Sequence, residues 1–182
     1  LTAADPGAPG AAAPQPGQRM GAWELLYRIG AGGMAEVYSA TQVAFKRQVA
    51  IKVLMPAYAG DAEYAERFLQ EAETVASLAH PHIIPVYDFG QRDGTFYMVM
   101  ERINGGDLAQ WIQRGLEVDE TLQIVSQVAS ALHFVHEKGF VHRDIKPGNI
   151  MRVATSGSAR RRNVRPPVRL LDFGIAKVMA PD

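Results

Sequence analysis

Cysteine is absent from the 182 residues of the chain, and so is an excess of charge of either sign. Without thiols the protein forms no disulfide, uses no thiolate nucleophile and binds no metal through cysteine, which fits a reducing compartment. Nineteen basic and nineteen acidic side chains leave a formal net charge of zero, so no global field favours nucleic acid or an anionic membrane. Any recognition of phosphate must therefore be local.

Long hydrophobic runs are also missing, because no stretch of about 18 apolar residues is present to span a membrane. The composition, 47% hydrophobic and 21% charged, is that of a folded globular protein. We therefore expect a cytoplasmic domain with no nucleic-acid partner. The chain stops soon after a glycine-containing loop motif, so we expect a piece of a longer protein, and a membrane anchor elsewhere in that protein stays open.

Proline, glycine and alanine dominate residues 1–19, which carry no large apolar side chain after Leu1. Such a segment buries too little surface to offset its ordering entropy, so we predict that it is disordered. From Trp23 onward, short runs rich in aromatic and β-branched residues alternate with turns and predict strands of one antiparallel sheet. These runs are 23–29, 36–41, 48–54 and 95–100.

Two segments have helical periodicity. The first, 61–79, can be capped by Asp61 and places four large side chains on one face, and the second, 119–139, places five on one face and ends at Gly139. The first face consists of Tyr64, Phe68, Val75 and Leu78, and the second of Leu122, Val125, Val128, Leu132 and Val135. Strands followed by helices predict an α+β fold.

Two charged residues disturb these apolar patterns. Glu71 lies on the apolar face of the first helix, and Lys52 ends the strand motif VAIK. An unpaired buried charge is costly, so the two side chains are expected to pair, holding Lys52 ready for a phosphate. Taken alone, Lys52 is also compatible with an edge lysine that reaches solvent.

A glycine-rich stretch, GAGGMAEV at 30–37, lies between two predicted strands. Its glycines would let backbone N–H groups approach an anion, although a plain turn explains them equally well. The stretch lacks the Gly-Lys-Ser/Thr of a P-loop, and a strand rather than a helix follows it.

The loop HRDIKPGN at 142–149 and the later LLDFG at 170–174 concentrate polar groups suited to catalysis. Asp144 is placed to accept a hydroxyl proton. The oxygens of Asn149 and Asp172 suit a hard cation.

In this order, the glycine-rich loop, VAIK, HRD with Asn149, and DFG resemble a protein kinase from Trp23 to the start of the activation loop. GAGGMAEVY, HPHIIPVYDFG and HRDIKPGNIM are most similar to the bacterial branch of eukaryotic-like serine/threonine kinases. The resemblance implies a five-stranded N-lobe with its αC helix and hinge at 20–103. At 104–182 it implies the first part of a helical C-lobe, with αD, αE, the catalytic loop and DFG.

The resemblance also implies roles for individual residues. Asp144 would be the catalytic base, Lys146 marks serine/threonine specificity, Lys52 paired with Glu71 would hold the α- and β-phosphates of ATP, and Asn149 and Asp172 would bind Mg²⁺ or Mn²⁺. The residues implied to surround the nucleotide are Gly30, Ala31, Gly32, Gly33, Met34, Val37, Ala50, Met100 as gatekeeper, Glu101 to Ile103 as hinge, Asp107 at the ribose, and Met151. The residues implied to form a stacked apolar column are Val75, Val86, His142 and Phe173.

Two departures from the family pattern stand out. Ala35 replaces the third glycine of the loop, from which we expect slightly altered flexibility and retained binding. An Arg-rich insertion at about 154–167 includes Arg160, Arg161 and Arg162; it is interpreted as a solvated loop or as a docking site for an acidic or phosphorylated partner.

The interpretation from sequence is an ATP-dependent kinase of serine and threonine residues in protein substrates, with a homodimer for autophosphorylation as a further partner. This fragment is expected to be inactive alone. Two alternatives stay open: a small-molecule phosphotransferase, which Lys146 and Arg143 disfavour, and a nucleotide-binding pseudokinase or scaffold, which would normally have lost Lys52, Asp144 or Asp172.

Overall fold

The computed structural model describes residues 14–154 and 167–173. The chain divides into two compact units. The first contains Leu1–Ala72 and Val86–Arg102, and the second contains Glu73–Pro85 and Ile103–Asp182. Each unit is described below by itself.

The first unit is built on one antiparallel sheet of six strands in the order β1-β2-β3-β4-β6-β5. The strands are β1 (Arg19–Met20), β2 (Trp23–Gly32), β3 (Ala35–Gln42), β4 (Arg47–Leu54), β5 (Val86–Arg92) and β6 (Thr95–Glu101). The four strands that the sequence predicts are confirmed, each one to three residues longer than its sequence pattern indicates.

The side-chain alternation of β4 separates two environments. Val49, Ile51 and Val53 lie on one face of the sheet in a buried cluster that also contains Trp23 and Tyr97. Because successive residues of a strand point to opposite faces, Lys52 lies on the other face. This alternation leaves the apolar cluster on one side of the sheet and places Lys52 on the other.

The strand β1 corrects two expectations: the sheet has six strands rather than five, and the end of the segment predicted to be disordered is paired. Gly17 N–H donates to the Leu25 carbonyl at 2.7 Å, and Leu25 N–H donates to that of Gln18 at 3.0 Å. Met20 anchors the segment, being 6% exposed beside Trp23. Composition does not reveal this pairing, because residues 14–19 are ordered by backbone bonds to β2 and by one apolar anchor, without a local apolar pattern. Residues 1–13 lie outside the described ranges.

Four helices are described: α1 (Pro56–Ala59), α2 (Ala62–Ser77), α3 (Leu108–Arg114) and α4 (Val118–Glu137). As predicted, Asp61 caps α2, since its Oδ1 accepts a hydrogen bond from Glu63 N–H at 2.9 Å. The predicted stop after α4 is also confirmed, because Gly139 adopts a left-handed φ of 80° and its N–H donates to His136. Among the described residues no helix is both long and apolar enough to cross a membrane.

The buried face of α4 differs from the predicted one. Its buried residues are Ile124, Ala131 and Val135, whereas Leu122 and Val125 are 62% and 59% exposed. The predicted face is therefore wrong by roughly a quarter of a turn, at about 100° per residue. Val135 is the buried residue that both sets share. The sequence could not separate the faces because Leu122 and Val125 are as apolar as Ile124, and only packing partners decide which side is covered.

In the second unit, β7 (Ile150–Arg152) pairs antiparallel with β8 (Val168–Leu170). Ile84 N–H donates to the Leu170 carbonyl at 3.1 Å, and Val168 N–H donates to Gln127 Oε1 of α4 at 2.8 Å. This small sheet therefore ties the residues before Asp172 to α4. The Arg-rich insertion between the two strands, including Arg160 to Arg162, lies largely outside the described residues.

Candidate active site

The glycine-rich stretch forms the hairpin between β2 and β3. Gly30 pairs with Val37 and Gly32 with Ala35, and Gly33 at the tip has a left-handed φ of 53°. A Cβ added at Gly32 or Gly33 would meet no atom within 4 Å, so open space lies beside the tip. Gly33 is therefore required by its backbone angle, and the bare hairpin allows another group to approach its N–H groups.

Ala35, in place of the third glycine, fits this hairpin. It is buried, 3% exposed, and the non-glycine residues described with positive φ are Lys46, Asp93, Arg143 and Asp172. An alanine at position 35 therefore causes no left-handed strain. The backbone beside it is fixed further by Met55 N–H, which donates to the Met34 carbonyl at 2.9 Å.

Lys52 and Glu71 pair as predicted. Lys52 Nζ lies 2.9 Å from Glu71 Oε1, and the two side chains are only 15% and 14% exposed. The pair is therefore shielded from solvent, where a direct ion pair is stronger than at an exposed surface. The contact fixes the ammonium group on the face of the sheet opposite the apolar cluster.

The remaining predicted nucleotide residues of the first unit lie on the same strands. Val37 pairs with Lys52, Ala50 pairs with Met100, and Glu101 pairs with Val49. Ala50 and Met100 are 5% and 6% exposed. Sheet register thus brings the hairpin, the lysine and the predicted gatekeeper into one neighbourhood.

In the second unit, Asp107 and Met151 are neighbours through an isolated antiparallel bridge. Asp107 caps α3, accepting a hydrogen bond from Gln110 N–H on Oδ1 at 2.8 Å and one from Gln110 Nε2 on Oδ2 at 3.2 Å. Ile103 is 4% exposed. Asp107 and Met151, predicted to contact ribose and adenine, are therefore neighbours although they lie 44 positions apart in the sequence (151 minus 107).

Asp144 lies in a hydrogen-bonded loop that brings together three of the predicted residues. Lys146 Nζ donates to Asp144 Oδ2 at 2.7 Å, and Asn149 Nδ2 donates to both the Asp144 carbonyl and Oδ2 at 2.9 Å. The short 3₁₀ turn Pro147–Asn149 makes this spacing possible by folding Asn149 back over Asp144. The amide oxygen of Asn149 is left as its atom suited to bind a hard cation.

The charge state of Asp144 follows from these contacts. The Lys146 ammonium group, and next the Asn149 amide, lower the pKa of the Asp144 carboxyl below its ordinary value. Because the side chain is 43% exposed, solvent screens this effect. Asp144 is therefore ionised at neutral pH and able to accept a proton.

Asp172 is positioned through the backbone of the same loop. Leu171 N–H donates to the Asn149 carbonyl at 2.8 Å, and the Leu171 carbonyl accepts a hydrogen bond from His142 Nε2 at 2.9 Å. Asp172 itself has a left-handed φ of 48°, as Arg143 has at 64°, a backbone state that costs energy in a non-glycine residue. Such strained residues concentrate at functional sites.

His142 is buried next to Leu171 and Phe173, the residues on either side of Asp172. It is 1% exposed, and its ring centroid lies 4.4 Å from that of Phe173. Burial lowers the pKa of His142, so the imidazole is neutral at pH 7 and can bond to Leu171 without a buried charge. The stack contains two members of the predicted apolar column.

The donor set fits a magnesium ion bound together with phosphate. Asn149 offers an amide oxygen and Asp172 a carboxylate, and no group of three or more His, Cys, Asp or Glu residues with metal-site geometry occurs within the described ranges. Mg²⁺ typically takes one or two carboxylates and completes its shell with substrate phosphates and water. Two protein oxygens are therefore enough when a nucleotide supplies the others.

Sequence reasoning missed the residues that fasten this part of the second unit. Arg152 of β7 lies with its Cζ 3.6 Å from the centroid of Trp111, and its Nη2 lies 2.7 Å from Glu120 Oε1. The sequence offered one signal, namely that Arg152 is a charged residue directly after the apolar residues Ile150 and Met151. Its partners, 41 and 32 positions away, could not be read from local patterns.

The protein kinase domain model matches residues 23–182, so the chain belongs to the protein kinase family. It is 40% identical over 162 residues to the serine/threonine-protein kinase PrkC of Bacillus subtilis, covering 88% of this chain and 24% of that protein. It is 38% identical over 164 residues to the serine/threonine-protein kinase PknF of Mycobacterium tuberculosis, covering 88% and 33%.

A solved kinase domain supports the same fold. The PknI kinase domain of Mycobacterium tuberculosis superposes with a TM-score of 0.71 at 37% identity, over 91% of this chain and 64% of that domain. The predicted α+β kinase fold and its bacterial branch are therefore confirmed. The chain spans about a quarter to a third of the length of these curated relatives.

Proposed function

We propose that the complete protein transfers the γ-phosphoryl group of ATP to serine and threonine hydroxyls of protein substrates. The observation that carries the proposal is the carboxylate of Asp144, which accepts hydrogen bonds from Lys146 and Asn149 on one oxygen, Oδ2. Its other oxygen can then face an acceptor hydroxyl. Asp144 would accept the hydroxyl proton as the oxygen attacks phosphorus.

The residues proposed to hold the nucleotide are assigned by the family resemblance, and several of them lie on neighbouring strands of the first unit. Lys52, oriented by Glu71, would contact the α- and β-phosphates, and the hairpin from Gly30 through Ala31, Gly32, Gly33 and Met34 to Val37 would cover them. Adenine would be bound by Ala50, Met100, the Glu101 to Ile103 backbone and Met151, with Asp107 at the ribose. These roles rest on the family resemblance and on the contacts described above.

Asn149 and Asp172 would hold Mg²⁺, or Mn²⁺ in its place. When bound, the ion supplies neutralisation of phosphate charge. The residues themselves do the positioning, because Asn149 is tied to Asp144 and its backbone carbonyl to Leu171. The catalytic carboxylate and the metal ligands are thus parts of one hydrogen-bonded loop.

The family resemblance links Lys146 to protein hydroxyls as phosphate acceptors. Lys146 lies directly beside the proposed base, since its Nζ is 2.7 Å from Asp144 Oδ2. A small-molecule phosphotransferase is disfavoured by this contact and by the relatives. The retained Lys52, Asp144 and Asp172 disfavour a pseudokinase or scaffold. A cytoplasmic kinase domain, a homodimer for autophosphorylation and an acidic or phosphorylated partner at Arg160 to Arg162 belong to the same proposal.

The test is a phosphorylation assay of the complete protein with radiolabelled ATP, Mg²⁺ and a generic protein substrate, beside an aminoglycoside acceptor. We expect phosphoserine and phosphothreonine by phosphoamino-acid analysis. Asp144→Asn keeps the shape but removes the proton acceptor, so nucleotide binding should persist while transfer falls at least 100-fold, the lower range for loss of a general base. Predominant phosphotyrosine, or transfer to the aminoglycoside alone, would contradict the proposal.

A further inference from the structure

Arg152 is an unusual residue for its place, a cation in a short strand with apolar neighbours. It is only 7% exposed. Its guanidinium group stacks on the Trp111 ring at 3.6 Å and pairs with Glu120 at 2.7 Å. The stack and the ion pair therefore hold one planar group between α3 and α4.

Two of these residues, Trp111 and Arg152, also contact the chain just before Asp107. Trp111 Nε1 donates to the Gly105 carbonyl at 2.8 Å, and Arg152 N–H donates to the Gly106 carbonyl at 3.0 Å. A Cβ added at Gly105 would lie 1.9 Å from the Arg152 carbonyl oxygen. The backbones of Gly105 and Arg152 are therefore in such close contact that a shift of one must move the other.

The residues next to this contact are the ones proposed to bind the nucleotide. Met151 precedes Arg152, Asp107 follows Gly106, and the two form a bridge. The bridge lies next to the contact of Gly105 and Gly106 with Arg152. The position of Arg152 therefore determines the positions of Asp107 and Met151. The Asp107 carboxylate is oriented separately by Gln110.

Stability alone is a weak reason for a buried guanidinium. Burial lowers the pKa of Arg152, which Glu120 partly offsets, and its Nη1 atom is buried without a hydrogen-bond partner. Replacing a buried ion pair by apolar side chains of similar volume is often neutral or stabilising. What an apolar side chain could not reproduce is the directional link from β7 to both α3 and α4.

We infer that Arg152, stacked on Trp111 and paired with Glu120, is a positioning residue for nucleotide binding that fixes Asp107 and Met151. The inference rests on the proposed function, in which these two residues contact ribose and adenine. Arg152 touches no reacting group, and Asp144 is held by Lys146 and Asn149 instead. Its loss should therefore affect ATP affinity more than turnover.

The test is Arg152→Met in the complete protein, since methionine keeps an unbranched side chain without the charge. We expect the Kd for a fluorescent ATP analogue and the KM for ATP to rise about tenfold, with kcat changed less than about threefold, as fits misplacement of a binding group. Thermal unfolding is measured in parallel. A lower Tm with unchanged Kd and KM would show a merely structural role and overturn the inference.

Glu120→Gln provides the second variant and Glu117→Gln its matched control. Glu117 is exposed at the start of the same helix and makes no side-chain cap bond. We expect Glu120→Gln to raise the Kd as Arg152→Met does, the double variant to match Arg152→Met alone, and Glu117→Gln to change neither value. Additive effects of the two changes would contradict a shared role.

Two further outcomes separate this inference from the proposed function. If Arg152→Met yields no folded protein, Trp111→Phe decides by the same criteria, because it keeps a ring for stacking and removes the bond to Gly105. If the wild-type protein binds the ATP analogue but transfers no phosphate, the proposed function fails while the Kd measurements still decide the role of Arg152. A wild-type protein that binds no nucleotide overturns both.

Discussion

Lys52 and Glu71 are charged residues in otherwise apolar patterns, and their ion pair accounts for both. Each lies among apolar residues, and each is about 85% buried, as their exposures of 15% and 14% indicate. Either charge alone would carry a desolvation cost, while together they keep an ammonium group in place at 2.9 Å. The same reasoning applies to Arg152 and Glu120, whose pairing the sequence did not reveal.

Lys52→Met in the complete protein should lower phosphoryl transfer by about 100-fold or more and leave the fold intact. The reason is that an electrostatic contact to the transferring phosphates is worth several kcal/mol in the transition state. Initial rates with radiolabelled ATP and circular dichroism check both parts. Near wild-type transfer would show that Lys52 lacks the proposed role.

Tyr38→Phe should weaken the hairpin in a pH-dependent manner. The Tyr38 hydroxyl, 2.7 Å from Glu36 Oε2, and next Arg28 lower the pKa of Glu36 from its ordinary value of 4.5, while burial and Glu36 raise the pKa of Tyr38 to about 12. A lowered carboxyl pKa stabilises the fold above pH 4.5 and loses that effect as the pH falls through the lowered value.

The Tm difference between wild type and Tyr38→Phe should therefore be largest at neutral pH and shrink below pH 4, measured by thermal melts across that range. Phenylalanine keeps the ring in its buried position, so packing changes little. A Tm difference that stays constant with pH would show that Glu36 is not the partner that matters.

Among the elements, α4 illustrates the limit of periodicity most clearly. The helix was predicted within two residues at each end, yet its buried side is formed by Ile124, Ala131 and Val135. Both candidate faces are apolar, and one residue of each, Ile124 and Val125, lines the same groove of about 300 Å³ beside α3. Amphipathic patterns identify a buried side only when the other side is polar.

Two valines of α4 allow a matched test. Val135 is fully buried and Val125 is 59% exposed. We expect Val135→Ala to lower the free energy of unfolding by about 2 kcal/mol through lost burial and a cavity, and Val125→Ala to change it by less than about 0.5 kcal/mol. Chemical denaturation of the complete protein measures both. Equal effects would contradict the observed orientation of the helix.

For the molecule as a whole, the share of the family domain that is present sets the expected activity. The chain covers 64% of the solved PknI kinase domain that it matches. Three apolar residues of α4 are largely exposed: Val118 at 74%, Leu122 at 62% and Val125 at 59%. Adjacent exposed side chains of this size favour association or local melting unless another part of a protein covers them.

We therefore predict that the isolated 182 residues bind Mg-ATP weakly at most and phosphorylate no protein, although the proposed catalytic side chains are present. The comparison is with the complete protein, using ATP titration and a radiolabelled phosphate assay at equal concentration. Size-exclusion chromatography monitors aggregation of each sample. Comparable turnover from the isolated chain would show that the covered 64% is sufficient.

The sequence by itself determined the family, the four central strands and two main helices, and the short-range chemistry of HRDIKPGN, because each rests on residues close together in the chain. The Asp144, Lys146 and Asn149 contacts span five positions, and the alternation of β4 assigns Lys52 to its face. These features follow from local backbone geometry.

Only the tertiary structure decided which apolar side of α4 is buried, that residues 14–19 join the sheet, and that Arg152 meets Trp111 and Glu120. The third depends on contacts between segments far apart in the chain, since Glu120 lies 32 positions before Arg152. The second rests on backbone bonds such as that of Gly17 with Leu25, which leave no side-chain pattern in the sequence. Burial and hydrogen bonding of this kind depend on what else fills the space, and no local pattern records that.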